Sequence, residues 1–263
     1  MSGSDSLSHR WPALIERIRA RTPARVLVDR AGAGYRTETQ LELRQAHAAA
    51  RDAVRSELDL ERDLGAEFVA RWGIFEAHSQ ARTKDEYLLR PDLGRKLSED
   101  SARTVVARCP QDIDLQIVIG DGLSVTAVAA QVPGLLPRMV ENAKKHAWKL
   151  GQPFAIRYCR VGVMNQVGEL LRPRVVALLI GERPGLATAE SLSAYLAFQP
   201  RPGHSDAQRN LISNIHARGV SLELAAARIV NLAGQMIRSG SSGSTLKERL
   251  AEPAGRAERP PKP

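Results

Sequence analysis

The stretch from Val175 to Leu192, Val-Val-Ala-Leu-Leu-Ile-Gly-Glu-Arg-Pro-Gly-Leu-Ala-Thr-Ala-Glu-Ser-Leu, limits the architecture more than any other part of the chain. Its six successive apolar residues, rich in β-branched types, read as a strand covered on both faces, as in a parallel sheet. The turn Gly181-Glu182-Arg183-Pro184-Gly185 ends that strand, because Gly admits unusual backbone angles and Pro cannot continue a ladder. The run from Ala187 to Phe198 is compatible with a helix, so strand, turn and helix predict half of a βαβ unit. Ligands of open α/β sheets sit at the carboxyl ends of strands, beside helix N-termini. The turn from Gly181 to Gly185 is therefore the first candidate site.

The rest of the chain divides in two around Cys109-Pro110. In an N-terminal segment (1–22), Trp11, Leu14, Ile15 and Ile18 recur at helical spacing, with Pro12 suited to a first turn. That face either packs on its own domain or docks on a partner. Residues 23–109 read as mostly helical. Arg25 to Asp29 is extended, and Thr37-Glu-Thr-Gln40 resembles a capping box opening a helix to Leu58. A helix from Glu61 to Gly73, a loop from Arg82 to Leu97 and a helix from Ser98 to Ala107 follow.

From Asp114 strands and helices alternate. Leu115 to Ile119, Phe154 to Cys159, Val175 to Ile180 and Leu211 to Ile215 read as strands. Ser124 is a helix N-cap, Pro133 to Leu150 and Asn165 to Leu171 are helices, and Ser221 caps a last helix to Ile237. This alternation predicts an α/β fold in which a Rossmann-like doubly wound parallel sheet (110–238) follows the helical region. Residues 239–263 are Ser, Gly, Pro and charge, with little to bury, and read as a disordered tail.

Most familiar chemistries lack their residues here. Gly-x-Ser-x-Gly, His-Glu-x-x-His and Gly-x-x-x-x-Gly-Lys-Ser/Thr are all absent. Gly120-Asp-Gly-Leu-Ser124 resembles an esterase Gly-Asp-Ser-Leu box only with Gly122 at the serine position, and no histidine has Asp three residues earlier. Ala31-Gly-Ala-Gly-Tyr35 invites a dinucleotide-binding reading, but its third glycine position falls on Thr37. Cys109 and Cys159 lie 50 residues apart, which favours neither a disulfide scaffold nor a cysteine zinc site. Net charge is +9, with Arg scattered and no nucleic-acid-binding signature, so no nucleic-acid partner is expected. No run of about 20 apolar residues exists, so no membrane association is expected and the chain reads as cytoplasmic. What remains is a binding edge. The turns at Gly120, Gly181 and Ser213 would bring together Asp121, Ser124, Glu182, Arg183, Asn214 and His216. Glu182 is read either as a ligand-binding acceptor or as a partner of Arg183 or another local arginine that orders the turn.

Three motifs in order, Ile117-Val-Ile-Gly-Asp-Gly-Leu-Ser124, the Val175 stretch and Ile212-Ser-Asn-Ile-His216, resemble the light chain of ethanolamine ammonia-lyase, over Ala24 to Ile237. The resemblance implies a subunit of an adenosylcobalamin-dependent enzyme that converts ethanolamine to acetaldehyde and ammonia. It implies a hetero-oligomer in which a heavy-chain barrel carries the substrate and radical chemistry and cobalamin lies between the chains. Localisation would be cytoplasmic, or within a bacterial microcompartment in hosts that form one. Cofactor-contacting positions fall, by similarity, on Val161, Glu182 and Leu211, with no catalytic residue and no metal ligand from this chain. Leu211 stands where a family member has Cys, so its contact would be made by main chain or packing. None of the six histidines has Asp two residues earlier, so the Asp-x-His-x-x-Gly motif is absent and the cofactor is expected base-on. The alternative is a non-catalytic α/β scaffold binding a phosphorylated small ligand at the Gly181 to Gly185 edge.

Overall fold

The computed structural model describes residues 12–22 and 24–249. Helix α1 (Pro12–Arg19) leads to a small antiparallel hairpin of β1 (Arg30–Ala31) and β2 (Gly34–Tyr35). Helices α2 (Thr37–Arg55), α3 (Leu60–Leu64) and α4 (Ala66–Trp72) precede β3 (Phe75–His78), α5 (Lys84–Leu89) and α6 (Glu99–Arg108). Then come β4 (Leu115–Gly120), α7 (Val125–Lys144), β5 (Phe154–Arg157) and α8 (Met164–Leu171). The chain continues through β6 (Val175–Gly181), β7 (Leu192–Phe198), β8 (Asn210–Ile215) and α9 (Leu222–Ser239).

Six strands form one sheet in the order β3-β5-β4-β6-β7-β8. The β3–β5, β5–β4 and β4–β6 pairs are parallel; β7 is antiparallel to both β6 and β8. The fold is thus mixed α/β with a mostly parallel, Rossmann-like sheet. Apolar runs dictate why helices cover both faces. Along β6, Val175, Ala177 and Leu179 join one core cluster with α7 and α9, while Val176, Leu178 and Ile180 join the opposite cluster. All seven residues of β6 are buried. At about 1.5–3 kcal/mol per buried aliphatic side chain, its Val, Leu and Ile residues contribute on the order of 10 kcal/mol before chain entropy is subtracted.

Several expectations need correction. The run from Ala187 to Phe198 holds a strand, β7, not a helix. Leu192, Ala194, Leu196 and Phe198 face the first cluster and Tyr195 and Ala197 the second, so side chains alternate with the period of two that a strand imposes. Pro133 does not open a second helix. Both it and Pro137 lie inside α7, which Ser124 caps by accepting from Ala127 N at 3.2 Å. The segment from Arg82 to Leu97 contains α5, capped by Thr83, and the region expected to be mostly helical also contains β3. Glu61 to Gly73 holds two helices that meet at Gly65. Ala31 to Tyr35 forms a hairpin, and helix α2 is preceded by Arg36 with no side-chain cap, so neither the dinucleotide loop nor the capping box exists.

At the N-terminus, Trp11 lies outside the described residues; Ile15 is buried while Leu14 and Ile18 are exposed. At the other end, residues 240–249 pack back on the fold. Arg228 grips Glu248 through two hydrogen bonds of 2.6 and 2.8 Å, and Asn210 Nδ2 donates to Leu246 O at 2.8 Å. Residues 250–263 lie outside the described part.

Candidate functional site

Sheet topology fixes where a site can form. From β4 the chain steps outward to β5 on one side and then returns to β6 on the other. The carboxyl ends of β4 and β6 therefore flank a switch point, where open α/β sheets leave a crevice. Because β7 reverses direction, β8 runs parallel to β6 and ends at the same edge. A cavity of about 380 Å³ opens there. Gly122 and Leu123 line it from the β4 turn, Cys159 to Val161 from the segment after β5, and Gly181 to Arg183 from the β6 turn. Ser193 and Tyr195 come from β7, Leu211, Ser213 and Asn214 from β8, and Tyr87 from α5.

The structure brings Val161, Glu182 and Leu211 together in this lining. Leu211 is 46% exposed, an uncovered apolar side chain on the cavity rim. Glu182 is half-buried and does not pair with Arg183 or another arginine among the described residues. Its Oε1 accepts from Ser193 Oγ at 2.5 Å and from Asn214 N at 3.1 Å, and its Oε2 accepts from Ser191 Oγ at 2.8 Å. The carboxylate thus ties the β6 turn to β7 and β8. A carboxylate offers about four lone-pair positions, so one acceptor position on Oε2 remains for a donor from the cavity.

Asp121, Ser124 and His216 take structural parts instead. Asp121 is fully buried, and its two oxygens accept from Cys159 N and Tyr158 N, each at 2.8 Å. Burial pushes its carboxyl upward, opposed by Lys84 and by the N–H donors of Cys159, Tyr158 and Gly122. Ser124 Oγ donates to Ala189 O at 2.5 Å while it caps α7. His216 is buried, with Nδ1 accepting from Arg218 N at 3.3 Å. Arg183 and Asn214 do line the cavity.

Tyr87, Cys159, Arg160 and Tyr195 escape sequence reasoning. Tyr87 is fully buried, donates to Cys159 O at 2.9 Å and carries the Arg160 guanidinium over its ring at 4.2 Å from the centroid. It lies in the segment expected to be a loop, where the Thr83 cap with Asp85 and Glu86 in the first turn is the available signal for a helix. Burial pushes the Cys159 thiol well up, and pushes Cys109 up to about 11. Little thiolate forms at neutral pH, and the thiolate is the reactive species. Iodoacetamide is therefore expected to leave both cysteines unmodified in the native chain and to alkylate both after denaturation. Rapid native labelling of Cys159 would show that the cavity floor opens.

A model of the family "Ethanolamine ammonia-lyase light chain (EutC)" matches residues 12–247. The ethanolamine ammonia-lyase small subunit of Clostridium perfringens is 41% identical over 230 residues, covering 88% of this chain and 76% of the relative. The small subunit of Clostridium acetobutylicum is 38% identical over 233 residues, covering 89% of this chain and 94% of the relative. That of Listeria innocua is 39% identical over 231 residues, covering 88% and 77%.

Proposed function

Since the chain belongs to the ethanolamine ammonia-lyase light-chain family, we propose that its cavity holds one edge of adenosylcobalamin against a heavy chain. The hetero-oligomer so formed converts ethanolamine to acetaldehyde and ammonia, in the cytoplasm or in a microcompartment where the host builds one. When bound, the cofactor supplies radical chemistry through its cobalt–carbon bond. This chain's residues bind, orient and cover. The observation that carries the reading is that Val161, Glu182 and Leu211, from three separate segments, line one cavity at the sheet's switch point.

The donor set suits the cofactor. A corrin is rimmed by neutral amides, which need acceptors as well as donors. Glu182 Oε2 supplies an acceptor held in place by Ser191, and the exposed face of Leu211 supplies apolar packing. A corrin with its side chains exceeds the cavity's 380 Å³, so only an edge fits, which leaves the rest for the heavy chain to cover. The lining offers a carboxylate, hydroxyls, guanidinium groups and an amide, a set for amide and hydroxyl groups of a cofactor that keeps its own lower base.

The test is a spectrophotometric titration of the reconstituted two-chain complex with cobalamin, using wild type, Glu182→Gln and Glu182→Ala, with the isolated chain as control. Losing a charge-assisted hydrogen bond costs about 1.5–3 kcal/mol, so Glu182→Gln is expected to bind roughly 10- to 150-fold more weakly. Glu182→Ala should bind at least as poorly. It also removes the shared acceptor of Ser191, Ser193 and Asn214, and so melts somewhat earlier. Cobalamin affinity unchanged in both variants would reduce Glu182 to a brace of the turn. Turnover by the isolated chain would overturn the dependence on a heavy chain.

A further inference from the structure

A second, larger cavity of about 910 Å³ adjoins the first and shares Arg160, Val161 and Tyr195 with it. Three segments build its walls: 91–96, the start of α8 with the residues before it, and the loop 202–209. They are fastened to one another. Gln166 Oε1 accepts from Leu97 N at 2.7 Å, Asn165 Nδ2 donates to His204 O at 2.7 Å, and Asn165 Oδ1 accepts from Arg209 Nη2 at 3.0 Å. The cavity is therefore a shaped feature of the fold.

Its charge is one-sided. Arg95, Lys96, Arg160 and Arg209 line it against Glu169 and Asp206. Arg209, whose side chain is 5% exposed, pairs with Asp206. Arg95, Lys96 and Arg160 form no ion pair among the described residues. Arg160 is held by its contact with the Tyr87 ring and by donation to Tyr87 O at 3.3 Å. Two buried guanidinium donors facing this region, Arg160 Nε and Arg209 Nε, and the buried His204 Nδ1 have no hydrogen-bond partner among the described residues. Leaving buried donors unmade is expensive, and here they stand beside the exposed, unpaired charges of Arg95 and Lys96. An anion would relieve both.

We propose that this second cavity is a binding site for a phosphate-type oxyanion. Cations from three directions match a tetrahedral group that accepts hydrogen bonds on several oxygens, and guanidinium forks pair bidentately with phosphate. A single carboxylate would satisfy one fork only. The anion can be free phosphate, or the phosphodiester of a ligand whose body lies in the first cavity and reaches across Arg160. The assignment does not depend on what fills the first cavity, because phosphate alone is the probe.

Calorimetric titration of the full chain with inorganic phosphate, against chloride at matched ionic strength, tests it. Wild type is expected to bind phosphate, and Arg95→Gln/Lys96→Gln to bind at least tenfold more weakly with an unchanged melting temperature, since both side chains are exposed. Lys96→Gln alone should fall between them. Absence of binding at millimolar phosphate, or equal affinity in the double variant, overturns the proposal. Competition in the two-chain complex then separates the sources. Phosphate that weakens binding of cobalamin, but not of cobinamide, which lacks the phosphodiester, identifies the ligand's own group. Phosphate that weakens neither identifies a free-anion site. Phosphate that weakens both equally places the anion in the first cavity and overturns the assignment.

Discussion

Gly181→Ala is expected to lose about 3 kcal/mol or more of stability, with ligand binding at the cavity falling alongside. A Cβ at this position would overlap Ser124 O and Asp121 O, which are main-chain atoms of the turn between β4 and α7 and cannot rotate away. The opposing turn is no more forgiving. Gly122 sits at φ +57°, and a Cβ there would meet the main chain of Gly181. The two turns interlock further through the Leu123 N–H, which donates to Gly181 O at 3.1 Å. Relief requires moving β4 or β6, both fully buried strands. For a chain of this length the loss corresponds to a fall of roughly 6–12 °C in Tm, measured by thermal and urea unfolding. A Tm equal to wild type would show that the turns are not closely interlocked in solution.

Asp121→Ala is expected to be of similar severity for a different reason. Its carboxylate joins the end of β4 to the end of β5 by accepting from Tyr158 N and Cys159 N. Tyr158 is held at φ +56°, a left-handed conformation that a bulky residue adopts only under constraint. Alanine leaves two buried N–H groups unmade, at about 1–3 kcal/mol each. It also strips the counter-charge from Lys84, a buried amine whose Nζ has no hydrogen-bond partner among the described residues. Burial pushes the Lys84 amine down, and Asp121 is the largest influence raising it again. Asp121→Asn keeps one acceptor oxygen but turns an amide towards a second donor, so its loss should be smaller than alanine's and still substantial. Urea unfolding of both variants distinguishes this from a bystander role, in which both would match wild type.

Strands whose side chains are apolar on both faces are legible in the amino-acid order itself. Val175 to Ile180 is apolar throughout and Leu115 to Ile119 is interrupted only by Gln116, and with their β-branched residues and short length both read as strands. Leu192 to Phe198 does not, since Leu, Ala and Tyr at those positions satisfy a helical spacing as well as an alternating one. Pairing with β6 and β8 decides the matter, and pairing is a long-range fact. Glu182 can be located because a strand visibly ends beside it. Its partners Ser191 and Ser193 cannot, because they reach it only once β7 is a strand. The same holds for Tyr87 and Arg160, 73 residues apart in sequence and stacked in the fold. Pro133 and Pro137 mislead in the opposite direction. Each withdraws a donor from α7, yet ten buried residues along that helix outweigh the loss.

The strand order has a consequence for how the molecule is made. β3 pairs only with β5, and β4 pairs only with β5 and β6, so the first two strands of the main sheet to leave the ribosome are not neighbours. Phe75 waits for Phe154 before its strand gains a partner. Until then the growing chain carries β3 and β4 with open edges and no partner in the main sheet. Closing such distant pairs is slow, and unpaired edges invite association with other chains. The arrival of β5, which lies between β3 and β4, is thus the event that first joins the two into one sheet.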